Sequence, residues 1–471
     1  MNRIVKEEVL QSNKIAILDD RGNKVTYKEL GNRAKELGKY IEERGFLFIL
    51  CDRHMETLEF LYEILYLNRV PLLLSSDIIG ELLDSLIEIY HPQYIYCDKS
   101  REITGEYQQI METDKHMLLS TGRERPVIHQ DIAVLLSTSG TTGSPKLVKL
   151  SYRNLYKNAE NICSHLGIES GQKGLTPLLA SFVYGLNICI WHWYCGATLC
   201  TTEEFVFSKK FEEFFKKEKV NNFGGTPYIF EMMQKVQFWD SEKTLYLQRA
   251  MSAGSKMSEK EMADMVSVLK EKFWILYGQT ESTGIVSGTN FADSIVRSGN
   301  IGYPFGNIKA LIDSSTEELV LRSKDIINLG YANQIEQLAY ADIEKESLHT
   351  GDIACIDNKG CICLKGRMTR YVKVLGKRVS LDDIENYLKN KNPNIEFACV
   401  GVDDSLFVFH TSFDSMMEKE IKRLLDQNMK IPGRFVVCLC LKKILRNYSG
   451  KILYGELEKL ANAQNHIQVM S

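Results

Sequence analysis

Capped amphipathic helices alternate along this chain with short, unbroken apolar runs, and that alternation limits the fold more than any other feature. Thr26 and Glu29 form a capping box ahead of a stripe of Tyr27, Leu30, Ala34, Leu37 and Ile41, with Gly45 as the expected stop. Ser258 with Glu261 opens a second helix carrying Met262, Met265, Val266 and Leu269, and Ser380 with Asp383 opens a third carrying Ile384 and Leu388. Between such helices lie apolar runs at 133–137, 273–276 and 319–321, each the length of a strand buried on both faces. Strands alternating with helices predict α/β architecture with parallel sheet. Beyond about residue 366 the segments shorten, and candidate strands at 361–364, 398–402, 406–410 and 434–441 predict a separate, small α+β domain. The expected division is a large N-terminal domain, 1–367, and a small C-terminal domain, 368–471.

Several classes fall away. Fifty-eight basic against 61 acidic residues give a formal charge of −3, so bulk charge supplies no footprint for nucleic acid or anionic membrane. Twelve cysteines in 471 residues are too sparse for a disulfide scaffold, and a core of this size needs no staples. Cys361 with Cys363 and Cys438 with Cys440 read as pairs of thiols on strand faces, mostly buried, rather than as metal ligands. A reduced, cytoplasmic setting is expected, and the first fourteen residues are too charged for a secretory signal. The stretch 174–202 contains no Asp, Glu, Lys or Arg but is interrupted by Pro177, Gly185, Asn187 and Gly196. It reads as buried strand, loop and helix rather than a membrane span.

The chemistry concentrates in five places. An apolar strand runs directly into STSGTTGSPK at 137–146, where glycines free backbone N–H groups and hydroxyls and Lys146 suit phosphate oxygens. The GxxxxGK[ST] spacing is absent. A second apolar strand ends in Tyr277, Gly278, Gln279, Thr280 and Glu281, and a carboxylate at a strand's C-terminal end suits Mg²⁺ held against phosphates. Asp352 follows Thr350 and Gly351 and suits ribose hydroxyls. Arg367 follows Gly366 and suits ribose or phosphate. Lys451 follows a glycine in RNYSGK at 446–451.

In this order and spacing the five segments resemble the adenylate-forming superfamily of acyl-CoA synthetases, peptide-synthetase adenylation domains and luciferases. Weaker similar stretches are FGGTP at 223–227, SAGS at 252–255, Gly330 with Tyr331, and residues 367–379. The resemblance implies an acyl-CoA synthetase-like fold whose small C-terminal domain is mobile. It implies that Thr138, Ser139, Gly140, Thr141, Thr142, Gly143 and Lys146 close on ATP phosphates. Gly254 and Ser255 then lie along the adenine, and Tyr277, Gly278, Gln279, Thr280 and Glu281 contact adenine, α-phosphate and Mg²⁺. The metal would be held by Glu281 and Thr138. Asp352 and Arg367 would bind ribose, Lys373 would contact cofactor, and Gly376 would line the path of a pantetheine arm. Lys451, with Glu281 and Thr138, would carry the first half-reaction.

The activity so implied is ATP-dependent conversion of a carboxylic acid to acyl-AMP, followed by transfer to a thiol, with ATP, Mg²⁺ and coenzyme A as cofactors. A separate acyl or peptidyl carrier protein is the alternative acceptor, and a non-catalytic nucleotide-binding member is the alternative from another class. Some positions depart from the family pattern. Thr369 stands at the hinge, Leu147 follows the loop lysine, Tyr152 replaces a frequent His, and Phe182 lies nearest a His that many CoA synthetases carry. Val183 falls where adenylation domains place an Asp for the substrate ammonium, which disfavours an α-amino acid. Phe182, Val183, Tyr184, Ile188 and Trp191 suit an apolar or aryl acyl group, or packing alone.

Overall fold

In the computed structural model the described residues are all but 1–3, 138–145, 241, 293–295, 375–376, 403–404, 448–449 and 470–471, with side chains also undescribed at 373, 377, 378 and 465–469. The chain divides into two compact units. The first holds Met1–Ser139, Ser144–Ala310 and Leu321–Leu348; the second holds Leu311–Val320 and His349–Ser471.

The first unit is α/β, built on two sheets. In one, the strands Phe273–Gln279, Arg249–Ser252, Asn222–Gly225, Lys173–Leu175, Thr198–Thr201 and Ile15–Asp19 follow each other in parallel. Gly284–Thr289 and Asn300–Pro304 extend it antiparallel beyond Phe273–Gln279. In the other, Ile132–Ser137, Val70–Ser75, Phe46–Cys51 and Tyr94–Asp98 run parallel, flanked by antiparallel strands. The strand Phe46–Cys51 is buried at every position, as a parallel strand covered on both faces must be.

The charge-free stretch resolves as expected into strand Lys173–Leu175, a loop, and helix Val183–Cys195, which is buried almost all round. Among the described residues no helix is long and apolar enough to cross a membrane. Tyr184, Ile188 and Trp191 are core residues: the Tyr184 hydroxyl donates to Met251 O at 2.8 Å and Trp191 Nε1 to Asn158 Oδ1 at 3.0 Å. Phe182 and Val183 are half-buried at the helix start.

The capping boxes at Thr26 and Ser258 form in full, and Ser380 caps its helix from Asp383 N. The first helix nevertheless ends at Leu37, with Gly38 as its cap, not near Gly45. Beyond it the chain tightens into turns, with Tyr40 N and Ile41 N both donating to Leu37 O. In the second unit, Phe397–Val402, Ser405–His410 and Val436–Cys440 form one sheet, and Gly433–Phe435 is a 3-10 turn rather than the start of the last strand. All twelve cysteines are free thiols. Eight are buried, but Cys355 and Cys440 are exposed; Cys438 and Cys440 do share the strand Val436–Cys440, yet the expected burial fails for them, Cys438 being half-buried at this edge.

Candidate active site

The strand Phe273–Gln279 leaves the sheet through a single turn, Thr280–Ser282, and returns as Gly284–Thr289. Such a reversal leaves no room for side chains at its neck. A Cβ on Gly278 would lie 1.8 Å from Gly284 O, so only glycine fits between Tyr277 and Gln279. Gly284 has φ +93°, and a Cβ there would lie 1.8 Å from Asn187 Oδ1. That amide clamps the turn from the buried helix: Asn187 Nδ2 donates to Thr283 O at 3.0 Å and Asn187 Oδ1 accepts from Ile285 N at 3.0 Å. Asn187 is 1% exposed. A second tie comes from Thr283 Oγ1, which donates to Ile326 O at 2.6 Å.

Glu281 is half-buried on this turn, and its backbone carbonyl accepts from Asn328 N at 3.0 Å. Tyr331, in the two-residue strand Tyr331–Ala332 that pairs with Leu147 and Val148, donates its hydroxyl to Glu281 Oε1 at 3.4 Å. Burial, then the Glu281 charge, push the Tyr331 phenol up to about 12. Two ammonium groups lie over its ring, Lys146 Nζ at 3.4 Å and Lys345 Nζ at 5.5 Å from the centroid. Lys345 also donates to Asn328 Oδ1 at 2.9 Å. Burial lowers the Lys345 pKa, opposed by Asp342 and Glu281. Lys146 and Glu281 therefore come together around Tyr331, at the end of the first phosphate-loop strand and the exit of the second.

On these strands and loops are buried polar atoms without a protein hydrogen-bond partner: Asn328 Nδ2, Gln279 Nε2, and Ser252 Oγ on the strand that pairs with Phe273–Gln279. Such orphans are costly unless a ligand or water completes them. Gly254 follows with φ +95°, exposed beside Ser255, after Ala253 N donates to Gly225 O at 3.1 Å. The residues present thus fit a polar, anionic nucleotide. Thr138, Ser139, Gly140, Thr141, Thr142, Gly143 and Gly376 lie outside the described residues, as does the side chain of Lys373, whose backbone pairs with Arg378.

The second unit holds the remaining expected residues. Asp352 and Arg367 face each other across an antiparallel pair, and Arg367 Nε donates to Asp352 Oδ1 at 3.0 Å. Asp352 is buried while the Arg367 side chain is half exposed. The Asp352 turn is built by Thr350 Oγ1, which donates to Leu319 O at 2.7 Å and accepts from Asp352 N at 3.1 Å. Gly351, at φ +73°, donates its N–H to Glu318 Oε1 at 2.8 Å. Lys451 stands on a tight reversal in which Asn447 N donates to Lys451 O and Lys451 N to Asn447 Oδ1, both at 2.9 Å. Gly450, at φ +81°, makes the reversal possible.

The family described as AMP-binding enzyme matches residues 7–324. The chain belongs to this family. It is 22% identical over 401 residues to the 2-succinylbenzoate–CoA ligase of Oceanobacillus iheyensis, covering 82% of each chain. It is 23% identical over 414 residues to the D-alanine–D-alanyl carrier protein ligase of Streptococcus pneumoniae, covering 80% of this chain and 78% of that one. Its fold is similar to o-succinylbenzoate CoA synthetase (MenE) from Bacillus subtilis in complex with the acyl-adenylate intermediate OSB-AMP, with TM-score 0.78, 17% identity and 96% of both chains covered. ATP-bound MatB from Rhodopseudomonas palustris gives TM-score 0.77 at 18% identity, covering 95% of this chain and 96% of that one. The large and small domains expected of the acyl-CoA synthetase-like fold are thus those of known structures.

Sequence reading missed two members of the site. Lys345 sits among acidic residues 342, 344 and 346 and reads as a solvated surface lysine. Asn187 stands out as an interruption of the charge-free stretch, and a lone amide inside a buried helix signals that some backbone group needs it, but the sequence does not name that group.

Proposed function

We propose that this protein is an AMP-forming acid–thiol ligase that activates a carboxylic acid with ATP and transfers the acyl group to the thiol of coenzyme A. The observation that carries the reading is the convergence of Glu281, Tyr331, Lys146 and Lys345 beside orphaned polar atoms at strand ends. In the first half-reaction a substrate carboxylate oxygen attacks the α-phosphorus, a new P–O bond forms, and pyrophosphate leaves. No protein nucleophile is needed, so the residues contribute positioning and charge neutralisation. Lys146 and Lys345 face the phosphates, Ser252, Gly254, Ser255 and Tyr277 to Thr280 face the nucleoside, and Asp352 with Arg367 take the ribose. Mg²⁺, held by Glu281 and Thr138, would supply further neutralisation of phosphate charge. Lys451 approaches the carboxylate and α-phosphate. In the second half-reaction the thiol sulfur attacks the acyl carbonyl, the C–O bond to AMP breaks, and the thiol proton passes to solvent.

The hinge of this cycle lies at Thr369, with residues 1–367 as the stationary domain and 368–471 as the mobile one. Lys373 then contacts cofactor, and Gly376 lines the pantetheine path. Val183 at the ammonium position favours an acid without an α-amino group, held near Phe182 and Val183.

The test is acid-dependent exchange of labelled pyrophosphate into ATP over a panel of fatty, aryl, hydroxy and amino acids. Exchange is expected with one class, falling roughly 10²–10³-fold or more in Lys451→Ala. Exchange undiminished in that variant refutes the role of Lys451. Thioester formation with a carrier protein but not with coenzyme A would reassign the acceptor, as the D-alanyl carrier protein ligase relative allows.

A further inference from the structure

At one edge of the first unit, where the strands Phe46–Cys51 and Tyr94–Asp98 end and His116–Ser120 begins, four side chains share one point. One ligand-capable atom from each of Asp52, His54, Asp98 and His116 lies within 4.8 Å of all the others. We propose that these four residues bind a zinc-class divalent cation as a closed, structural site.

The arrangement of the second nitrogens carries the argument. His116 Nε2 is 2.6 Å from Asp52 Oδ2, while its Nδ1 is 3.0 Å from Glu56 Oε2. His54 Nδ1 is 3.0 Å from the same Asp52 Oδ2, while its Nε2 is 2.9 Å from Glu203 Oε2. Each imidazole turns one nitrogen toward the shared point and the other toward a separate carboxylate. That outer carboxylate is the usual device that sets the tautomer and orientation of a metal-ligating histidine. His54 Nδ1 and His116 Nε2 thus converge on one carboxylate oxygen, Asp52 Oδ2, at 3.0 and 2.6 Å. His116 Nε2 and Asp52 Oδ2 share a hydrogen bond at 2.6 Å, and Thr57 Oγ1 lies 3.1 Å from the same nitrogen; a bound cation takes the place of the shared proton, which leaves to solvent, as metal binding requires of its ligands.

The rings are held rigidly. His116 is fully buried and stacks on Tyr96 with centroids 5.1 Å apart, and meets His54 edge-on at 5.3 Å. Thr57 Oγ1 donates to Asp52 Oδ1 at 2.6 Å, leaving Oδ2 for the site. Asp98 is anchored by Ser100 N, which donates to Asp98 Oδ1 at 2.7 Å. Four carboxylates against two imidazoles leave excess negative charge that a divalent cation balances. Two His and two carboxylates suit zinc, and four protein ligands close the tetrahedron, which marks a structural rather than a catalytic ion. Ligand atoms about 3.3 Å apart are what tetrahedral bonds of ~2.0 Å require. The carboxylates of Asp52 and Asp98 therefore turn on binding, opening the 2.6 Å His116–Asp52 pair and closing the wider ones, while the packed imidazoles stay in place. Through Glu203 the site also ties these strand ends to the segment after strand Thr198–Thr201 of the other sheet.

The experiment uses the full chain, stripped with a chelator and titrated with Co²⁺ and then Zn²⁺. Expected is the intense visible absorption of four-coordinate Co²⁺, saturating at one ion per chain and displaced by Zn²⁺. His116 is fully buried and its replacement could unfold the chain, so the variants are His54→Ala and Glu203→Gln. His54→Ala abolishes the spectrum, and Glu203→Gln weakens Zn²⁺ binding about 10–100-fold. Absence of Co²⁺ absorption, a weak six-coordinate spectrum, or binding unchanged in both variants overturns the assignment.

Discussion

Arg370 is the residue whose removal tests most sharply how the second unit holds Lys451. Its guanidinium donates from Nε to Asp382 Oδ1 at 2.6 Å, from one terminal nitrogen to Glu385 Oε1 at 2.7 Å, and from the other to Cys399 O at 3.4 Å. It lies 3.6 Å over the Tyr454 ring, and Tyr454 donates its hydroxyl to Glu385 Oε2 at 2.9 Å. Arg370 and Glu385 side chains are 14% and 15% exposed, so truncation strands a buried carboxylate rather than releasing it to water. Breaking a buried pair from one side costs about 3–5 kcal/mol. Glu385 keeps two donors, Cys399 N and the Tyr454 hydroxyl, which places Arg370→Ala at the lower end, about 3 kcal/mol. That is about a hundredfold in an opening equilibrium.

Hydrogen exchange across residues 397–410, read by mass spectrometry on the full chain, should show that loss of protection. The double variant Arg370→Met with Glu385→Leu should recover more than half of it, because the stranded charge is gone. The pH dependence has a definite sign. Burial already pushes the Glu385 carboxyl above its ordinary range while Arg370 pulls it down, so removing Arg370 raises it further. A raised carboxyl destabilises the folded unit above its folded pKa and costs nothing below its unfolded value of about 4.3. The variant's deficit is therefore full at high pH and shrinks as pH falls toward that value. A deficit under about 1 kcal/mol, or one that grows on acidification, refutes the reasoning. Tyr454 follows Lys451 by three residues, so pyrophosphate exchange should fall with it.

Three further outcomes are expected. Gly278→Ala places a methyl 1.8 Å from Gly284 O, displaces the Glu281 turn, and lowers pyrophosphate exchange about 10²-fold; circular dichroism should show the sheet retained. Lys345→Ala removes one phosphate-facing cation and reduces exchange at low ATP by roughly tenfold, a loss of about 1.5 kcal/mol, read as a raised KM for ATP; an unchanged KM refutes its placement. His192 is buried and neutral, donating from Nδ1 to Ile188 O at 2.7 Å, and burial pushes its pKa down to about 4. The folded state then binds fewer protons than the unfolded one, so stability is complete above about pH 6.5 and falls by about 3 kcal/mol toward pH 4. The slope of melting temperature against pH should flatten in His192→Gln.

Local chemistry was legible in the chain. A cap depends on residues three apart, and the Thr26, Ser258 and Ser380 caps stand where the sequence places them. Strands buried on both faces leave an apolar run that needs no partner to be recognised, as at Ile132–Ser137 and Phe273–Gln279. The glycine-hydroxyl loop, the carboxylate-ended strand and the late lysine are each local strings, and their order sufficed for family and reaction. Two local signals compete at the end of the first helix: it stops at Leu37, where Gly38, a poor helix residue, already supplies the cap, and not near Gly45.

Tertiary structure alone decided which distant side chains meet. Asn187 reaches Ile285 across 98 residues of chain, and Asp52 reaches His116 across 64. Such pairs carry no periodicity or spacing, because sheet order and register set them rather than any neighbouring residue. Lys345 looks like a surface charge until the fold lays it over Tyr331, and Arg370 looks like one basic residue among several until Glu385, Cys399 and Tyr454 close around it. The sequence by itself determined the elements and the reaction class; burial and long-range register decided which charges share a site, because only folding removes the water between them.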